Sequence, residues 1–381
     1  MAGVAFYRGK IMTPDQVITG SALLINQSRI VGFVSENEIP VEYDRVNLAD
    51  SWLLPGFIDL HVHGGGGADV MDGEVEAIRS MANFHLQGGT TSLYPTTVTH
   101  NRGALNKAIE AVAQAMQQED LKKRVLGIHL EGPYLAEGRK GAQSADYIRL
   151  PQVEEWQSFI DNPVVRLITL APELPGSEEM VRYGISKGVR FSAGHTEADY
   201  DGMVQAASWG VSQVSHLYNA MTGLDRRVPG LAAAALILKE IRAQLICDGV
   251  HVHPAMLKLA FKVKGPEGVI LITDALRATG TTERTDKLGN LDGPAREGAF
   301  FLPDGTLAGS SLTMVEAVRQ AVKLGGVALQ SAVKMATLTP AQAMGIESNK
   351  GNLAPGRDAD LVVLDDRLQL KQVWSMGVRC V

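Results

Sequence analysis

Short apolar runs that stop abruptly at Gly, Pro or a polar residue recur along this chain. Between them lie stretches whose apolar residues return every three or four positions. The runs cover residues 56–61, 90–95, 125–131, 166–173, 189–195, 213–219, 243–251 and 268–274. Each reads as a strand buried on both faces, since a half-exposed strand would alternate apolar with polar. The stretches 75–86, before Gly88-Gly89, and 102–116 have helical spacing. Repeated strand–helix units of this kind predict a (β/α)8 barrel, which takes roughly 250 residues, although periodicity alone also admits an open doubly wound sheet.

The ends are patterned differently. Residues 4–48 and 359–381 alternate short β-prone runs with turns, which predicts one small β-sandwich domain assembled from both segments. The expected division is 1–54 with 352–381 for that domain and 55–351 for the barrel. A last helix is expected to begin near Thr339, with Thr as its cap and Pro340 in its first turn.

Composition narrows the function classes. A chain of 381 residues, 45% hydrophobic, can bury a large core. Its net charge of -6, from 36 Lys and Arg against 42 Asp and Glu, supplies no basic field for nucleic acid or an anionic membrane. An anionic ligand must therefore be gripped locally. Two cysteines make no disulfide framework, the first residues lack the apolar core of a secretory signal, and no apolar run approaches the roughly 20 residues of a membrane span. A cytoplasmic setting is the expectation.

Metal-preferring residues gather where barrel enzymes build active sites, at the C-terminal ends of the strands. His61 and His63 are two apart and share one face of an extended strand. Glu131 ends the third strand, His195 the fifth and Asp274 the eighth, while His216 is expected within the sixth. A lone histidine is more often a core or surface residue, and Asp or Glu at a strand end can merely cap a helix. Repeated histidines at equivalent ends have no such use, whereas a metal ion does. The run from Gly64 to Gly67 lacks the order of a nucleotide-binding loop and reads as tight turns.

These residues carry a resemblance. Pro55-Gly-Phe-Ile-Asp-Leu-His-Val-His-Gly64 resembles the first strand of the amidohydrolase superfamily, and Gly351-Asn-Leu-Ala-Pro-Gly-Arg-Asp-Ala-Asp-Leu361 its return into a small β domain. His129-Leu-Glu-Gly-Pro-Tyr134, Ser192-Ala-Gly-His195, Ser215-His-Leu-Tyr-Asn-Ala-Met221, Asp248-Gly-Val-His251, Thr273-Asp-Ala275 and Leu307-Ala-Gly-Ser-Ser-Leu-Thr313 resemble N-acetylglucosamine-6-phosphate deacetylases, in order along nearly the whole chain. N-acetylgalactosamine-6-phosphate deacetylases have similar motifs. The resemblance implies Glu131, His195 and His216 as principal metal ligands and Asp274 as catalytic acid/base. It implies Asn219, Ala220 and Arg227 at the sugar phosphate, with Ala142, Gln143, His251, Leu307, Ala308 and Gly309 near the sugar and acetamide. It also implies a homodimer in which Arg227 reaches the neighbouring site. Many relatives have His where Gln143 follows Lys140-Gly-Ala; here an amide is left to donate to a sugar hydroxyl. Retention of His61 and His63 permits a second ion, with Glu131 bridging.

The implied reaction is metal-dependent hydrolysis of the acetamide of N-acetyl-D-glucosamine 6-phosphate, with one or two divalent ions, zinc expected. The galactosamine epimer is the alternative substrate. A dihydroorotase-like hydrolase commonly uses a carboxylated lysine at the end of its fourth strand, and Leu167-Ile-Thr-Leu-Ala-Pro-Glu173 offers none. A non-catalytic sugar-phosphate-binding barrel would be expected to lose ligands that this chain retains.

Overall fold

The barrel strands form where the apolar runs predict them: β1 (Phe57–Val62), β2 (Thr90–Thr97), β3 (Ile128–Glu131), β4 (Val165–Leu170), β5 (Arg190–Ala193), β6 (Val211–Val214), β7 (Arg242–Ile246) and β8 (Val269–Ile272). The computed structural model describes residues 3–282 and 299–381, and between them the backbone of the strands Thr285–Leu288 and Leu291–Arg296. Met1 and Ala2 of the expected small domain lie outside the described residues. The eight strands pair in sequence order, all parallel. The seam closes where Asp274 N donates to His61 O at 2.9 Å and His63 N to Ala275 O at 3.0 Å. This is the (β/α)8 barrel and not the open sheet.

Helices cover the outside because their sequences present one apolar stripe. Arg102–Ala115 starts where the Asn101 side chain accepts from Ala104 N, and it buries Leu105, Ala108, Ile109 and Val112. The Leu, Ile and Val side chains among them each contribute about 1.5–3 kcal/mol on burial. The last helix differs from expectation. It spans Leu338–Met344, preceded by Thr337, which makes no side-chain cap, and Pro340 sits three residues in. Proline is tolerated there because the first four N–H groups of a helix have no intrahelical acceptor.

The two ends build two sheets, one with four strands and one with six. In the six-stranded sheet, Trp52–Pro55 pairs with Lys10–Met12 on one side and Leu361–Leu364 on the other. Alternation sends Ile11, Leu53, Leu361 and Val363 into the sandwich core with Phe6, Leu23 and Trp374. Their neighbours Met12, Leu54, Val362 and Leu364 join the barrel core. Between the cores, buried Lys350 Nζ lies 3.1 Å from Asp358 and 2.5 Å from Asp360. The terminal motif read from sequence thus forms a charged pin under the barrel. A four-stranded antiparallel sheet after β8, running from Thr285–Leu288 to Leu307–Ser310, was not expected. Among the described residues, no helix is long and apolar enough to cross a membrane.

Candidate metal centre and active site

The strands β4 to β8 stop short of their apolar runs, and the polar residues just beyond them turn inward. His195 and His216 therefore lie two residues past β5 and β6, so His216 is in a loop and not within the sixth strand. His195, His216 and Asp274 all have left-handed backbone, with φ of 48°, 31° and 52°. Such a conformation costs a non-glycine residue about 1–3 kcal/mol and persists only where its surroundings dictate it. They do: Leu217 N donates to Gln244 O, Asn219 N to His216 O, Asp274 N to His61 O and Ser310 N to Asp274 O.

Four imidazoles converge through Nε2. In each, Nδ1 faces an acceptor: Gln244 Oε1 for His61 at 3.2 Å, Thr96 O for His63 at 3.0 Å, Arg139 O for His195 at 3.0 Å and Asn219 O for His216 at 3.2 Å. A carbonyl can only accept, so Nδ1 carries a proton and Nε2 is the atom each ring turns toward the others. His216 Nε2 lies 3.0 Å and His195 Nε2 3.3 Å from Glu131 Oε1. His63 Nε2 lies 3.1 Å from Asp274 Oδ1, and His61 Nε2 3.3 Å from Glu131 Oε1. His61 Nε2 is buried without a partner in hydrogen-bonding geometry. The donor atoms form two groups, Glu131-His195-His216 and His61-His63-Asp274, each within 4.8 Å. Convergent imidazole nitrogens, carboxylates and an orphaned buried nitrogen fit divalent ions, which would take the place of any proton on Nε2.

Electrostatics agree with that reading. Burial works against the Glu131 charge, but the neighbouring histidines outweigh it and hold the carboxyl well below its usual range. Burial likewise opposes charge on His61, yet Glu131 and Asp274 carry it up to about 9. Asp274 is lowered against its own burial by His61 and His63. The site concentrates negative charge that a cation would neutralise.

A cavity of about 230 Å³ opens on these groups, which limits its occupant to a small molecule. Of the expected residues, His63, Glu131, Ala142, Gln143, His195, His216, Asn219, Ala220, His251, Asp274, Leu307 and Ala308 line it. Gly309 does not; it packs against Leu276 and the Asp274 carbonyl, where a Cβ would have no room. Arg227 is exposed and away from the cavity of its own chain. Gln143 lines the cavity, and its amide also makes two bonds that the sequence did not suggest: Nε2 donates to Glu131 Oε2 at 2.6 Å and Oε1 accepts from Thr99 N at 2.8 Å. His251 Nδ1 lies 2.6 Å from Asp248 Oδ2.

Sequence reasoning missed Gly141 and Thr306 in the lining, and a polar belt beneath it. Thr273 Oγ1 donates to buried Asp59 across the seam at 2.5 Å. His129 Nε2 meets Thr169 Oγ1 at 2.7 Å, and Gln244 Nε2 donates to Gln213 Oε1 at 3.1 Å. The signal was spacing: Asp59, His129 and Gln213 each lie two before a polar strand-end residue and share its face. The glycine run is indeed turns, Gly64–Gly65 pairing with Ala68–Asp69.

Residues 52–379 match the amidohydrolase family. The chain is 37% identical to an N-acetylglucosamine-6-phosphate deacetylase of Lysinibacillus sphaericus, over 88% of this chain and 87% of that one. It is 36% identical to an N-acetylgalactosamine-6-phosphate deacetylase of Escherichia coli O157:H7, over 85% and 86%. A solved N-acetyl-D-glucosamine-6-phosphate deacetylase mutant from Mycobacterium smegmatis, in complex with N-acetyl-D-glucosamine-6-phosphate, superposes with a TM-score of 0.94 at 33% identity, covering 100% of both chains. Barrel, donor groups and matches agree: this chain belongs to the amidohydrolase family, among the N-acetylglucosamine-6-phosphate deacetylases and their galactosamine counterparts.

Proposed function

We propose that this chain hydrolyses the acetamide of N-acetyl-D-glucosamine 6-phosphate, releasing acetate and D-glucosamine 6-phosphate. The observation that carries this reading is the convergence of four Nε2 atoms with Glu131 and Asp274 in two donor groups, of which all but His61 line one small cavity. The full-length likeness to a protein solved with that sugar phosphate supports the substrate. Glu131, His195 and His216 would hold the principal ion, and His61 and His63, with Asp274, a second. Zinc is the ion proposed, since imidazole and carboxylate donors suit it.

A divalent ion held there supplies Lewis acidity, polarising the acetamide oxygen and making water a stronger nucleophile near neutral pH. Asp274 accepts the proton of the attacking water and passes it to the departing nitrogen, which otherwise would leave as an unstable anion. His251, its Nδ1 anchored on Asp248, presents the opposite edge of its ring toward the developing oxyanion. Ala142, Asn219, Ala220, Leu307 and Ala308 shape the sugar subsite. Arg227 is assigned to the phosphate of the neighbouring subunit in a homodimer. A cytoplasmic location and the division into 1–54 with 352–381 and 55–351 belong to the same reading.

The galactosamine epimer is the second reading, favoured by the comparable identity to a deacetylase of that sugar. Acetate release measured on both 6-phosphates and on unphosphorylated N-acetylglucosamine tests the proposal. Turnover of the glucosamine phosphate with the highest kcat/KM is expected. Absence of acetate release from either phosphate by metal-loaded protein would overturn it.

A further inference from the structure

Gln143 is buried, only 3% exposed, at the edge of the cavity, and each end of its amide makes a hydrogen bond to protein. The orientation is dictated by its partners. Thr99 N is a backbone donor, so the atom it meets at 2.8 Å must be Oε1. With Oε1 committed to Thr99 N, the atom that meets Glu131 Oε2 at 2.6 Å is Nε2, whose N–H donates. Gln143 thus ties a main-chain group after β2 to the carboxylate that ends β3.

The tie divides the Glu131 carboxylate. Its Oε1 faces His195, His216 and His61 at 3.0–3.3 Å. Its Oε2 faces His63 at 3.5 Å and takes the Gln143 N–H. Without that donor, nothing on the Gln143 side would stop the carboxylate turning about its terminal bond, a torsion that is broad in glutamate. We infer that Gln143 is a positioning residue for metal binding: it fixes the Glu131 carboxylate with Oε1 on the His195-His216 side and Oε2 on the His63 side, the orientation in which Glu131 would join a metal-ligand set. This rests on the metal-dependent deacetylase reading, but its main readout, metal affinity, needs no substrate.

The test uses full-length Gln143→Met, which keeps length and loses both hydrogen bonds, and Gln143→Asn, which keeps the amide but cannot span from Thr99 N to Glu131. Zinc affinity is measured by chelator competition, without substrate. Both variants are expected to bind the first ion about 10- to 100-fold more weakly than wild type, the loss typical when a partner of a metal ligand is removed. Acetate release is then compared on N-acetylglucosamine 6-phosphate and on analogues that each lack one ring hydroxyl. Positioning predicts the same proportional loss of kcat/KM on all of them. Unchanged zinc affinity, with a loss that vanishes on the analogue lacking one particular hydroxyl, would make Gln143 a sugar contact and overturn the inference. Gln143→Asn guards against a methionine variant that fails to fold: a folded Gln143→Asn with wild-type zinc affinity also overturns it. Failure of wild type to release acetate would instead strike the deacetylase reading and leave the zinc measurement intact.

Discussion

Asp274 Oδ1 stands 3.1 Å from His63 Nε2, so the residue assigned to carry the proton also completes a ligand group with His61 and His63. Its two duties can be separated. Asp274→Asn cannot shuttle a proton, and turnover should fall at least about a hundredfold. The ion at Glu131, His195 and His216 should stay, while occupancy at the His61-His63 group declines. Acetate release and metal analysis on the same preparation check both parts. Near-normal turnover in the metal-loaded variant would take Asp274 out of the mechanism.

His61 and His63 are expected to hold a second ion. Replacing both by Ala should lower the stoichiometry of a metal titration from two per chain to one. Because the neighbouring carboxylates outweigh burial and keep His61 protonated up to about pH 9, an ion entering there must displace a proton. Affinity for the second ion should rise with pH toward that value, with protons released into weakly buffered solution. Equal stoichiometry before and after the double substitution would leave the pair with a purely structural role.

Arg227 is exposed and outside its own cavity, and an acidic chain offers no general attraction for a dianion. A guanidinium contact to phosphate is worth roughly 1.5–3 kcal/mol, or one to two orders of magnitude in affinity. Arg227→Ala should raise KM for the phosphorylated substrate accordingly and hardly affect the unphosphorylated sugar. Mixed with Asp274→Asn chains under subunit exchange, it should regain activity, since each hybrid dimer then contains one intact site. Lack of recovery would mean the arginine acts within its own chain or not at all.

Burial holds the His85 imidazole down at about 4 against an ordinary 6.5, while Nε2 lies 2.8 Å from Gly64 O. Between those values the unfolded chain accepts a proton that the folded one refuses. The stability that His85 contributes is whole above about pH 6.5 and is lost progressively toward pH 4, by roughly 3 kcal/mol at 1.4 kcal/mol per unit. His85→Gln keeps a donor for Gly64 and does not titrate, so its urea midpoint should fall less steeply with acid. Parallel pH profiles for the two proteins would clear His85 of this role.

Much of this molecule was legible because apolar runs and strand-end polarity report on different things. Runs such as 268–274 mark what the barrel must bury, and repeated His and carboxylate at their ends mark what it must point inward. The left-handed turns at His195, His216 and Asp274 were not legible, because they follow from partner carbonyls and amides distant in sequence. Gln143 shows the same limit. Its spacing from Glu131 says nothing of Thr99, so the two bonds its amide makes, from Thr99 N and to Glu131, could not be read from the chain. The antiparallel strands that bring Leu307 and Ala308 to the cavity escaped because they interrupt an alternation that seemed complete at β8.

The strand Leu361–Leu364 has one face in each hydrophobic core, alternating residue by residue. On a ribosome, the barrel would therefore wait for it. Until that strand docks against Trp52–Pro55, synthesised some 300 residues earlier, Leu54 and Met12 have no cover on that side. Nascent chains lacking the segment should remain protease-sensitive over the whole barrel and bind chaperones, even though every metal-ligating residue has already been made.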